Sequence, residues 1–89
     1  MTEELFRDDA YLRSCEAEIV AMGTDWIELD RTVFYPMGGG QPGDRGELSF
    51  SSGETLLVLD TLKGKTPGTI VHVVESVPEA VLGAKVTVS

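Results

Sequence analysis

The apolar positions of this chain recur every second residue rather than every third or fourth. Residues 11–22 set Tyr11, Cys15, Ala17, Ile19 and Ala21 on one side against Ser14, Glu16 and Glu18 on the other, which predicts a half-buried strand. Gly23-Thr24-Asp25 turns the chain, and residues 26–30 return with Ile27 and Leu29 opposite Glu28 and Asp30, so the two segments read as a hairpin. The β-branched and aromatic residues 32–35 extend the return strand or begin a bent one. Residues 47–50 form a short strand, Ser51-Ser52-Gly53 a tight turn, and residues 55–62 a strand whose run Leu56-Leu57-Val58-Leu59 predicts burial on both faces. A turn at residues 63–68 leads to the β-rich segment 69–74, and the last segment, 84–89, places Val86 and Val88 on one face. Between them, residues 76–83 are a connection in which Pro78 starts one helical turn. Residues 2–9, acidic apart from Leu5 and Phe6, predict a helical turn or a docked arm. Six short strands, frequent Gly and Pro turns and no long helical pattern predict an all-β fold, a small antiparallel barrel closed to limit exposed edges. The last strand reaches the final residue, as in a chain that stops partway through its architecture.

Length and charge narrow the picture. With 89 residues the chain forms one domain, and a domain of that size buries only about 60–65% of the surface its unfolded chain exposes. No apolar run approaches the roughly 20 residues that span a bilayer, and the N-terminus lacks a signal-peptide pattern. The expectation is a soluble cytoplasmic protein with no membrane partner. Cys15 is the single cysteine, which excludes an internal disulfide and reads as a small buried apolar residue. A formal charge of −8 opposes tight binding of phosphate backbones by this segment alone. Its cations, Arg7, Arg13, Arg31, Arg45, Lys63, Lys65 and Lys85, are scattered along the sequence and read as solvated surface.

Candidate chemistry gathers in residues 32–46, Thr32-Val33-Phe34-Tyr35-Pro36-Met37-Gly38-Gly39-Gly40-Gln41-Pro42-Gly43-Asp44-Arg45-Gly46. Three successive glycines predict positive φ angles or a close approach by another group. Pro36 and Pro42 stiffen the two ends, and Gln41 offers an amide that both donates and accepts. This is a ligand cradle or, alternatively, a wide turn with no ligand. Gly38, Gly40 and Gly43 also satisfy G-x-G-x-x-G with Asp60 at the distance of a ribose-binding acid, but that fingerprint must open a helix and here Pro42 and a strand follow. Gly64-Lys65-Thr66 resembles the end of a phosphate-binding loop, yet Leu59 stands where its first glycine belongs.

No catalytic or metal residue is assigned within the chain. Catalytic metal sites need about three His, Cys or carboxylate ligands, and this sequence has one His and one Cys. His72, between Val71 and Val73, reads as a structural histidine bonded to backbone rather than a ligand or base. Ser49, Ser51 and Ser52 have no base placed near them by sequence.

The motif Thr32-x-Phe34-Tyr35-Pro36-x-Gly38-Gly39-Gly40-Gln41-Pro42-x-Asp44-x-Gly46 closely resembles the glycine-rich motif of the alanyl-tRNA synthetase editing domain and its free-standing relatives, the AlaX proteins. The resemblance extends to a Tyr-Leu opening at residues 11–12, Leu29-Asp30-Arg31-Thr32 leading into the motif, a Gly-x-Ile-x-His element at residues 68–72 and a closing Gly-x-x-Val at residues 83–86. It implies a barrel of the translation-factor type spanning residues 1–89, as the N-terminal part of a larger α+β protein. It further implies a zinc-binding catalytic domain beyond Ser89, absent from this chain, and hydrolysis of serine, in some members glycine, from mischarged alanine tRNA. Aminoacylated alanine tRNA and the missing zinc domain are the implied partners. Thr32 is then expected to contact the serine side chain, with the alternative that it bonds only backbone at the strand end. Gly38, Gly39, Gly40 and Gln41 are expected to line the pocket, Asp44 to close the loop, and Phe34 and Tyr35 mainly to pack. Met1 and the short lead-in favour a free-standing editing protein over an internal piece of a synthetase. A stand-alone barrel that binds RNA or protein without catalysis is the competing reading.

Overall fold

The computed structural model describes residues 2–5, 13–77 and 82–89. These contain nine strands: β1 (Glu3–Glu4), β2 (Cys15–Met22), β3 (Trp26–Leu29), β4 (Arg31–Thr32), β5 (Gly46–Phe50), β6 (Thr55–Val58), β7 (Asp60–Lys63), β8 (Ile70–Val73) and β9 (Lys85–Val88). Seven of them form one antiparallel sheet in the order β6-β5-β9-β2-β3-β8-β7, and β1 pairs in parallel with β4. No α-helix occurs among the described residues, and none there is long and apolar enough to cross a membrane. The all-β, antiparallel expectation therefore holds. The helical turn expected at Pro78 and the place of Tyr11 lie outside the described residues.

The regular pairing of the sheet changes at two places. The first half of β2 pairs with β9, Cys15 to Glu18 opposite Val88 to Lys85, and its second half pairs with β3 after a register irregularity between Ile19 and Ala21. A local slip of this kind bends and twists a strand. At the other junction β6 and β7 lie at opposite ends of the sheet order although Leu59 alone separates them in sequence. The Leu59 amide bonds Val73 O at 2.7 Å, continuing the β7–β8 ladder into the junction. The single strand expected over residues 55–62 is thus two, which raises the sheet from the expected six strands to seven.

The core follows from period-two alternation. Ala17 and Ile19 of β2, Ile27 and Leu29 of β3, Leu48 of β5 and Val86 and Val88 of β9 are buried on one side. Each Ile, Leu or Val so buried contributes about 1.5–3 kcal/mol relative to leaving it exposed. The run Leu56-Leu57-Val58-Leu59 corrects an expectation: only Val58 is buried, whereas Leu57 is 63% exposed and Leu59 41%. β6 has a single neighbour, β5, and presents one face outward, so alternation rather than two-sided burial governs it. Cys15 is half-buried, and burial raises its thiol pKa above the ordinary value.

The acidic arm docks at its first residues. Thr2 is buried; its hydroxyl donates to Leu29 O at 2.8 Å and accepts from the Ile70 amide at 3.2 Å, while its own amide bonds Gly68 O at 2.9 Å. Glu3 N bonds Asp30 O at 2.8 Å. The arm thereby ties β3 to the start of β8 at a point where those strands no longer pair with each other. Thr2→Val keeps the shape but strips the hydroxyl from two buried backbone partners; urea denaturation should show a loss of about 1–3 kcal/mol.

Candidate functional site

Residues 33–45 leave β4 and return to β5 as a loop laid along β7. The fastening is specific. Met37 N bonds Thr61 O at 2.7 Å, the Thr61 hydroxyl donates to Asp44 O at 2.8 Å, and Gly43 N bonds Asp60 Oδ1 at 2.9 Å. Asp44 closes the loop, as expected: its Oδ2 accepts from the Tyr35 amide at 2.9 Å, and its amide donates to Tyr35 O at 2.9 Å. Asp60 and Thr61 were not anticipated in this role. Their signal in the sequence is a polar pair directly after four apolar residues, where a single buried strand has no use for one.

At the tip, Gly38 and Gln41 form an isolated antiparallel bridge, with Gly38 N to Gln41 O at 3.2 Å and Gln41 N to Gly38 O at 2.9 Å. Gly39 and Gly40 between them have φ of 56° and 81°. Positive φ at both central positions is the signature of a type I′ hairpin turn, which glycine adopts at the least steric cost. Gly43 is demanded by contact instead, since a Cβ there would run into the Thr61 carbonyl oxygen and Asp60 Oδ1. Gly38, by contrast, has open space where a Cβ would stand and no positive φ. The tip residues from Met37 to Pro42 are exposed. Among the described residues the Gln41 side chain and the Gly39 and Gly40 N–H groups take no hydrogen bond, so this exposed tip offers unused donors on a fixed base.

Beneath the loop lies a polar pair in an apolar interior. Thr32 and His72 are fully buried, and Thr32 Oγ1 is 2.8 Å from His72 Nε2. His72 Nδ1 is 3.3 Å from Ile27 O. A carbonyl only accepts, so Nδ1 carries the proton; burial keeps the ring neutral, Nε2 accepts, and the Thr32 hydroxyl donates. That hydroxyl also accepts from the Phe34 amide at 3.1 Å, so Thr32 combines the backbone bond considered from sequence with one to His72. Phe34 is buried with its ring 5.8 Å from the imidazole, tilted by 51°. Tyr35 corrects its assignment to packing, for it is 47% exposed. The five residues singled out from sequence are therefore divided: Gly38, Gly39, Gly40 and Gln41 meet at the exposed tip, whereas Thr32 sits below it with its hydroxyl engaged.

Burial lowers the His72 pKa from 6.5 to about 4, the Ile27 bond opposing the shift. Among the described residues no three His, Cys, Asp or Glu side chains are placed to hold a metal. Both His72 nitrogens are already bonded, so the described residues do not fit zinc.

A β-domain that holds a hydrogen-bonding loop above a bonded interior, without a metal-ligand set among its described residues, is the class of protein defined here. The family of tRNA synthetases class II (A) matches residues 6–89, and the chain belongs to that family. It is 45% identical over 78 residues to the alanine–tRNA ligase of Pyrobaculum neutrophilum, covering 86% of this chain and 8% of the ligase. It is 36% identical over 88 residues to the alanyl-tRNA editing protein AlaX-M of Saccharolobus solfataricus, covering 93% of this chain and 37% of that protein. The AlaX-L protein of Pyrococcus horikoshii is 44% identical over 77 residues, 82% of this chain and 18% of its own. The likeness to alanyl-tRNA synthetase and AlaX proteins implied by residues 32–46 is thus shown, and the chain spans a minor part of these relatives' length.

Two outcomes follow from this geometry. An unfolded histidine gains its proton near pH 6.5 and the folded one only near 4, so stability from neutral His72 is complete above about pH 6.5 and is lost as pH falls toward 4. Chemical denaturation should show about 2 kcal/mol lost between pH 6.5 and 5, a slope that His72→Gln removes while keeping an acceptor for Thr32. Gly43→Ala should destabilise by about 1–3 kcal/mol because backbone blocks its Cβ, whereas Gly38→Ala should stay within about 0.5 kcal/mol in the same urea titration.

Proposed function

We propose that this chain is the N-terminal β-domain of an aminoacyl-tRNA editing hydrolase, one that releases serine, and glycine where it is accepted, from alanine tRNA in the cytoplasm. The carrying observation is the exposed hairpin tip, whose Gly39 and Gly40 amides and Gln41 side chain take no hydrogen bond among the described residues while its base is bonded to β7. Relatives named as alanyl-tRNA editing proteins, matched over most of the chain, support the reading. In it, the sheet joined at Leu59 is a barrel of the translation-factor type, and a zinc-binding domain outside residues 1–89 supplies the hydrolytic chemistry.

A pocket built for alanine cannot exclude serine strongly, so a second site must recognise the added hydroxyl, and a site that hydrogen-bonds a hydroxyl can reject its absence by 10⁴ or more. Gly38, Gly39, Gly40 and Gln41 form this chain's share of that site: donors for the aminoacyl group or terminal ribose, on backbone that a substrate can approach closely. Thr32 is the proposed reader of the serine hydroxyl. Its own hydroxyl bonds His72 and the Phe34 amide, so this contact requires the His72 bond to be exchanged for one to substrate.

The decisive experiment incubates the full-length protein with alanine tRNA carrying serine or alanine. Serine should be released and alanine retained; no release of serine would sink the proposal. Gln41→Ala should slow serine release about 10- to 100-fold, the value of one hydrogen bond to the reacting group. Thr32→Val should reduce the serine-to-alanine ratio by a similar factor, with Thr32→Ser restoring it, and an unchanged ratio would remove Thr32 from the site.

A further inference from the structure

The β7–β8 turn gathers chemistry that the glycine loop does not use. Lys63, Gly64, Lys65, Thr66 and Thr69 border two surface hollows, of about 360 and 430 Å³. The smaller extends to Pro36 at the foot of the glycine loop, and the larger extends to Trp26. Lys63 and Lys65 are exposed, and neither has an ion-pair partner among the described residues. The turn itself is fixed: Gly64 N bonds Thr69 O at 2.7 Å and Thr69 N bonds Thr66 O at 3.1 Å. Trp26 is half-buried, with its indole against Gly23, where any Cβ would collide with the ring. It makes no side-chain hydrogen bond among the described residues.

On a chain of charge −8, two unpaired ammonium groups beside an indole are a local reversal of sign. Glu28 is the acid among the residues bordering the larger hollow and Glu4 among those of the smaller. We propose that the Lys63–Lys65 turn and Trp26 form a binding track for single-stranded RNA, the ammonium groups meeting phosphates and the indole stacking on a base. Aromatic platforms flanked by cations hold single strands in this manner, with little dependence on sequence. The inference rests on the proposed editing function, since the hollows lead from Trp26 to Pro36 and would guide a strand's end toward the glycine tip. Binding here is modest by construction, because the rest of the surface repels phosphate.

The test uses the full-length protein and a fluorescein-labelled, unpaired RNA of eight nucleotides, titrated by anisotropy at several salt concentrations. Lys63→Ala/Lys65→Ala should weaken binding about tenfold and reduce the slope of log K against log salt by about 1.4, as expected for two single-strand phosphate contacts. Trp26→Leu should weaken it about tenfold, with Trp26→Phe recovering part of the loss. Unchanged affinity and slope in the lysine variant, or equal loss with adenosine monophosphate as the probe, would overturn the assignment. Deacylation by the wild type together with unaltered RNA binding by the variants would reject the track and leave the editing function standing. Variant-sensitive RNA binding without deacylation would do the reverse.

Discussion

Leu59 holds the two ends of a seven-stranded sheet one residue apart, and this connection determines what the far side of β7 can do. An edge strand offers unpaired backbone groups that would otherwise invite another strand. Here one of them serves the glycine loop, Thr61 O accepting from Met37 N, and two side chains of the strand add to it: the Thr61 hydroxyl donates to Asp44 O and the Asp60 carboxylate accepts from Gly43 N. The loop covers the edge, and the edge keeps the loop from wandering. A tip on such a base would lose less conformational entropy on meeting a ligand than one on a free loop.

The same economy appears inside. Thr32 and His72 place a hydroxyl and an imidazole where apolar side chains would pack, at a cost that hydrogen bonding must offset. It does so in full: the ring uses both nitrogens, on Thr32 and Ile27, and the hydroxyl both donates and accepts. The strand end from which the glycine loop departs is thus pinned to β8 by a directional bond, where an aliphatic pair would allow sliding.

Much of this was legible in the chain. Alternation identified the buried faces of β2, β3 and β9, because one face of an antiparallel sheet repeats every second residue. His72 between two valines read as structural, and its bond to Ile27 O agrees. The glycine motif carried the family. Which strands lie at an edge was not legible, since that depends on partners distant in sequence. Leu57 and Leu59 therefore looked buried, and Tyr35 looked like a packing residue. The convergence of Lys63 and Lys65 on Trp26 was likewise hidden: 37 positions separate Trp26 from Lys63, and the β3–β8–β7 order brings them together.

The Gly39-Gly40 turn has one more implication, which concerns handedness. In the strands the backbone is shaped by the clash of an L-configured side chain with its own backbone. At these two positions φ is positive, the mirror of the ordinary preference, and the space where a Cβ would stand is open. The tip is therefore a short stretch of mirror-image backbone conformation within an L-protein. D-residues favour such φ values, and among the genetically encoded amino acids glycine reaches them at least cost, with Asn and Asp next.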